Sequence, residues 1–201
     1  MENFVTDTLS LWASGGWLMI PLALIACFIY WTAFDAFFYF SNHRFYKTSR
    51  SDLEKCVQNP LQATGEIRDM VEYSQFGVSS MTEVRARFDE IQSVYLSKVD
   101  RQRKFLYILI GVAPLMGLLG TVTGMLATFR GLSSGSGTET VDLIAGGISE
   151  ALITTQTGLI IAIPAYIIAY VVMKRRNEMQ SFLTAMETMT AQVYERKNKE
   201  A

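Results

Sequence analysis

Half of the 201 residues are hydrophobic, 18% are charged, the formal net charge is −1 and the mean hydropathy is +0.20. That balance belongs to an integral membrane protein rather than a soluble domain. It argues against an enzyme as well, because no Ser/His/Asp or Cys/His set, phosphate loop or metal-spaced cluster can be assembled from the chain, so no cofactor and no metal are expected.

Residues 1–16, MENFVTDTLSLWASGG, carry Glu2 and Asp7 and no Lys or Arg, which argues against a cleaved signal peptide. Phe4, Leu9, Leu11 and Trp12 among polar residues fit an amphipathic segment on the outer membrane surface, with a frayed tail as the equal alternative. Residues 17–40, beginning WLMIPLALIACFIYW, form the first block long enough to cross a bilayer core, for which about 20 residues are needed. Asp35 near its far end is an interfacial residue, as is the lone His43 just beyond it. Cys27 in the span and Cys56 in the following loop are separated by too much membrane depth for a disulfide.

Residues 41–104 form a hydrophilic loop with breaks at Pro60, Gly65 and Gly77. Ser80 and Glu83 have the spacing of a capping box at a helix start. Val84, Phe88, Ile91 and Tyr95 then follow at steps of four and three, one apolar stripe on a helix. Nothing interrupts that helix before Phe105, so it is expected to continue into the second span, residues 105–129, as a rod of roughly 75 Å. The span contains Gly117, Gly120 and Gly124, a density of glycine that lets helices approach closely. Pro114 in this span and Pro164 in the next are tolerated where neighbouring helices satisfy the freed carbonyls.

A short loop, residues 130–142, leads to the third span, residues 143–173. Its stretch GGISEALITTQTGLIIAIPAY keeps Glu150, Thr154, Thr155 and Thr157 inside an apolar run. At helical rise Glu150 lies roughly 35 Å from Met173, near the outer boundary of the hydrocarbon. On a 3.6-residue period Thr154 and Thr157 share its face, whereas Thr155 is rotated away by roughly 140°. Polar groups at that spacing fit a helix facing a protein interior or a water-lined path. The tail, residues 174–201, carries another stripe at Phe182, Met186, Met189 and Val193, to be buried against the loop helices of the same chain or of neighbouring copies.

Of the 18 Lys and Arg residues, none precedes the first span, eleven lie between spans one and two, one lies between spans two and three, and six follow the third. The loop and tail are therefore cytoplasmic and the N-terminus outside. Because the basic residues cluster at span ends, topology accounts for them without nucleic acid.

EALITTQTGLIIAIPA in the third span and APLMGLLGTVTGM in the second resemble the paired motifs of the MotA, TolQ and ExbB proton-channel family, closest to the ExbB and TolQ branch. Three spans rather than four set the chain apart from the flagellar MotA subgroup, and its loop is short for the branch. The resemblance implies an all-α membrane protein with long cytoplasmic helical extensions, five copies forming a ring around a dimeric ExbD-like or TolR-like partner. It further implies that the partner supplies a proton-carrying Asp and that a TonB-like or TolA-like protein passes the work to the outer membrane. Carried over, Thr121 and Thr155 match pore-lining threonines and Glu150 the span-three acid. Thr154 and Thr157 depart from the pattern, which has apolar residues there. The rival reading is a non-conducting membrane scaffold that uses its glycine faces for assembly.

Overall fold

A computed structural model describes residues 12, 14–43, 46, 48–59, 63, 65–78, 80–134 and 138–200, with backbone alone at 134, 138–140, 197–198 and 200. Apart from Trp12 and residues 14–16, the amphipathic N-terminal segment lies outside the described residues, as does Pro60. Among the described residues five helices follow one another: α1 Met19–Asn42, α2 Arg50–Gln58, α3 Glu66–Gln75, α4 Met81–Ser134 and α5 Thr138–Glu200. Three of them, α1, α4 and α5, contain stretches long and apolar enough to cross a membrane. Ser80 begins α4 as half of the expected capping box, its Oγ accepting the Glu83 N–H at 3.2 Å. From there α4 runs unbroken through Pro114 into the glycine-rich segment, and α5 runs through Pro164. Residues 130–134 and 138–142, expected as a loop, are helical.

The chain divides into two units. The first contains the residues up to Phe34 and Lys104–Tyr170. Its core is Ile29 and Ala33 of α1 with Leu106, Ile110 and Ala113 of α4 and Ala162, Ala165 and Ala169 of α5. The opposite face of α1 exposes Ile20, Leu24, Phe28 and Trp31, with Trp17 exposed just before the helix, a run of large apolar side chains suited to lipid. Tyr30 donates its hydroxyl to the Ile161 carbonyl at 3.4 Å, beside the carbonyl of Ile160 that Pro164 leaves without a helical partner.

The second unit contains Asp35–Arg103 and Val171 onward. Val84, Phe88 and Ile91 are buried, and so are Phe182 and Met186 of the tail, with Leu53, Val57, Met70 and Val71 from α2 and α3. One chain thus buries both apolar stripes, while Tyr95, Met189 and Val193 remain half-buried. Asp100 receives two hydrogen bonds from Arg176, both 2.8 Å. Asp35 is hydrogen-bonded by Gln102 and lies 3.8 Å from Lys98. His43 Nδ1 stands 2.7 Å from Glu66 Oε1, placing the single histidine in a polar pair.

Candidate functional site

The second and third apolar stretches meet along a face made almost wholly of small residues. On α4 the buried positions are Ala113, Gly117, Gly120, Gly124, Thr128 and Gly131; on α5 they are Gly147, Ala151, Thr154, Gly158, Ala162 and Ala165. Both rows step by three and four residues, so each stays on one side of its helix.

How close the helices come is seen from what a side chain at each glycine would strike. A Cβ on Gly124 would lie 2.5 Å from the Gly147 carbonyl oxygen and 2.8 Å from Ala151 Cβ. On Gly158 it would lie 2.7 Å from the Ala113 carbonyl oxygen, and on Gly117 3.0 Å from Thr155 Cα. At Gly120 the obstacle is Thr154, whose Cβ would be 2.5 Å away and whose hydroxyl closer still. Backbone therefore meets backbone at three rungs, and at the fourth a threonine fills the notch that a glycine leaves.

The threonines divide into distinct roles. Thr154 is fully buried, and its hydroxyl is shared between the carbonyls of Glu150 and Ala151, each at 3.0 Å. Thr155 crosses between helices: its hydroxyl lies 3.0 Å from the Gly117 carbonyl oxygen on α4 and 3.1 Å from that of Ala151 on its own helix. Thr157 and Thr121 are half-buried and donate to Ile153 at 2.8 Å and Leu118 at 2.7 Å. A hydroxyl that has donated its proton still offers two lone pairs. Thr121, Thr155 and Thr157 are half-exposed at the edges of this interface, whereas Thr154 is enclosed in it.

Glu150 is half-buried on the same side as Thr154 and reaches toward the turn that precedes α1. A Cβ on Gly16 would overlap its Oε1 and lie 2.6 Å from its Cδ. Gly16 itself has φ +69, in the left-handed region. Among the described residues no group of three or more His, Cys, Asp or Glu could hold a metal ion.

Sequence spacing singled out Gly117, Gly120 and Gly124, and the structure places all three in the interface. It missed the answering row on α5, although Gly147, Ala151, Thr154, Gly158, Ala162, Ala165 and Ala169 repeat at three and four residues. Thr121 stands beside the face that Gly117, Gly120 and Gly124 form. Pro114 is half-buried and Pro164 exposed, so neither contributes a rung. Gly16 had no signal in the linear sequence, because its neighbour Glu150 comes from a distant helix.

A model of the MotA/TolQ/ExbB proton channel family matches residues 51–188. An ExbB-like biopolymer transport protein of Synechocystis is 28% identical over 208 residues, covering 95% of this chain and 82% of that protein. The Tol-Pal system protein TolQ of Pseudomonas aeruginosa is 43% identical over 82 residues, 41% of this chain and 35% of its own. The biopolymer transport protein exbB1 of Vibrio cholerae is 48% identical over 61 residues, 30% of this chain and 27% of its own.

Proposed function

The chain belongs to the MotA/TolQ/ExbB proton channel family, in its ExbB/TolQ branch, and we propose that it is the ring-forming subunit of a proton-driven motor in the inner membrane. Five copies enclose the single spans of an ExbD-like or TolR-like dimer, with the N-terminus outside and the second unit in the cytoplasm. A proton carried by the partner's Asp passes along the ring, and a TonB-like or TolA-like protein delivers the resulting motion to the outer membrane.

The observation that supports this reading best is the placement of Thr155. Its hydroxyl is held by the Gly117 carbonyl at 3.0 Å, so its lone pairs stay at one fixed place in an otherwise apolar interface. With Thr121 on α4 and Thr157 on α5, it supplies oxygens that hydrate a proton without supplying a charge of their own. Glu150 sets the field at the outer end of this path, and Thr154 is a packing residue that holds α5 against Gly120.

Thr155→Val tests the reading, because valine keeps the shape and removes the oxygen. Proton influx, followed with a cytoplasmic pH dye in cells that also make the partner, should fall by an order of magnitude with the amount of chain in the membrane unchanged. Full influx in that variant would sink the assignment. Native mass spectrometry of gently extracted complex should give five copies with two of a small single-span protein.

The scaffold reading has one observation on its side: each described threonine of the α4 and α5 spans already donates to a backbone carbonyl. If that were their whole purpose, valine at position 155 would leave influx per assembled chain unchanged and at most lower the amount assembled, which serine would restore.

A further inference from the structure

We propose that Gly16 is the positioning residue for Glu150: the turn before α1 forms a seat without side chains, and the carboxylate occupies the space that any other residue would fill. The functional consequence rests on the role given to Glu150 in the proton path; the seat itself rests on geometry alone.

Three observations lead there. First, the contact extends along the side chain, since a Cβ at Gly16 would overlap Glu150 Oε1, stand 2.6 Å from Cδ and 3.2 Å from Cγ. Second, the turn is held on both sides, with the Gly15 N–H donating to the Trp12 carbonyl at 3.2 Å and the Gly16 carbonyl accepting the Met19 N–H at 3.2 Å. Gly16 is therefore not free to swing away from an added side chain. Third, the neighbouring Gly15 is part of the same seat, because a Cβ there would lie 3.0 Å from Ile153 Cγ2, one turn along α5 from Glu150. Glu150 is fixed from two directions: Thr154 in the Gly120 notch sets the height of its helix, and Gly16 sets where its carboxylate rests. A group that shapes the field on a proton path must keep its position, since a carboxylate's influence falls with distance.

The left-handed φ of Gly16 has to be separated from its missing side chain. Alanine disturbs both, whereas asparagine adopts positive φ more readily than most residues yet fills the space. The test is carboxyl labelling in native membranes with a hydrophobic carbodiimide, read at Glu150 by mass spectrometry. Gly16→Ala and Gly16→Asn should each raise labelling several-fold, as the displaced carboxylate becomes accessible. Gly146→Ala, four residues before Glu150 and with open space around its Cβ position, should leave labelling unchanged. Unchanged labelling in both Gly16 variants, with normal amounts of chain in the membrane, overturns the proposal; normal labelling in Gly16→Asn alone assigns the effect to the backbone and overturns it too.

Should Gly16→Ala lower the amount of chain in the membrane, Glu150→Ala is combined with it. Emptying the space should restore the level to that of Glu150→Ala alone, and no recovery counts against the seat. Raised labelling with undiminished proton influx supports the seat and removes Glu150 from the proton path, so the two readings fail separately.

Discussion

Along α4, the buried face reads Val84, Phe88, Ile91, Leu96 and Val99 in one unit, and Leu106, Ile110, Ala113, Gly117, Gly120 and Gly124 in the other. One continuous helix thus presents large side chains as far as Ile110 and almost none beyond it. With the second unit in the cytoplasm, as proposed above, the contrast follows from what surrounds each half. In water, removing apolar surface from solvent drives association, at roughly 25 cal/mol per Å², so large side chains are favoured inside. In hydrocarbon that drive is missing, and helices hold together by close contact and hydrogen bonding, which small residues permit. The lesson is that a buried position on this helix tolerates opposite kinds of change in its two halves.

The sharpest way to break the comparison is to exchange its terms. Gly124→Leu puts a large side chain where a Cβ already meets the Gly147 carbonyl oxygen at 2.5 Å. Backbone cannot step aside as a side chain can, so the loss should reach or exceed the ~3 kcal/mol of severe overpacking. The chain should then fail to accumulate in the membrane, as an immunoblot would show; normal accumulation would mean that the helices are not packed as described. Phe88→Ala acts in reverse in the other unit, emptying a site with no exposure at all. It should cost about 3–5 kcal/mol, measured as a lower denaturation midpoint of extracted complex, with the membrane interface still intact.

Smaller changes sharpen the contrast in the polar interactions of the second unit. Arg176→Ala removes both hydrogen bonds to Asp100, and a loss of about 1.5–3 kcal/mol is expected for bonds to a charged partner. A midpoint indistinguishable from the parent chain would assign that pair to surface decoration. The smallest effect belongs to Tyr73, which donates to Glu90 Oε2 at 2.6 Å. That bond holds its pKa above the ordinary 10.0, with desolvation second. Because the protonated phenol is the form favoured in the fold, its contribution is complete below pH 10 and disappears as pH rises through the elevated value. Tyr73→Phe should therefore lower the neutral part of the stability profile slightly and flatten its alkaline limb, where the parent loses the same contribution.

Much of this architecture was legible in the linear chain, for reasons that vary along it. The apolar blocks announce themselves because a bilayer core demands an uninterrupted run, and α4 was foreseen as one helix because nothing from Ser80 to Phe105 breaks it. Gly65 and Gly77, predicted as breaks, have φ of +61 and +67 and bound α3. The α5 row escaped notice because alanine, glycine and threonine scattered among Ile and Leu look like ordinary span composition until the partner helix is known. For the same reason the helical wheel grouped Thr154 with Thr157: it measures angle about one axis, and cannot see that Gly120 encloses the first and leaves the second half-exposed. Thr155, which the wheel set apart, proved to face Gly117 on the neighbouring helix.

The row of glycine, alanine and threonine also has a thermal consequence. Helices that separate within lipid expose little apolar surface to water, so their parting carries only a small change in heat capacity. The packed phenylalanine, leucine and methionine of the second unit carry a large one, and their hold weakens on cooling. Chilling should therefore loosen the polar half of the molecule while the threonine-bearing interface keeps its strength, giving this protein a low-temperature limit set outside the membrane.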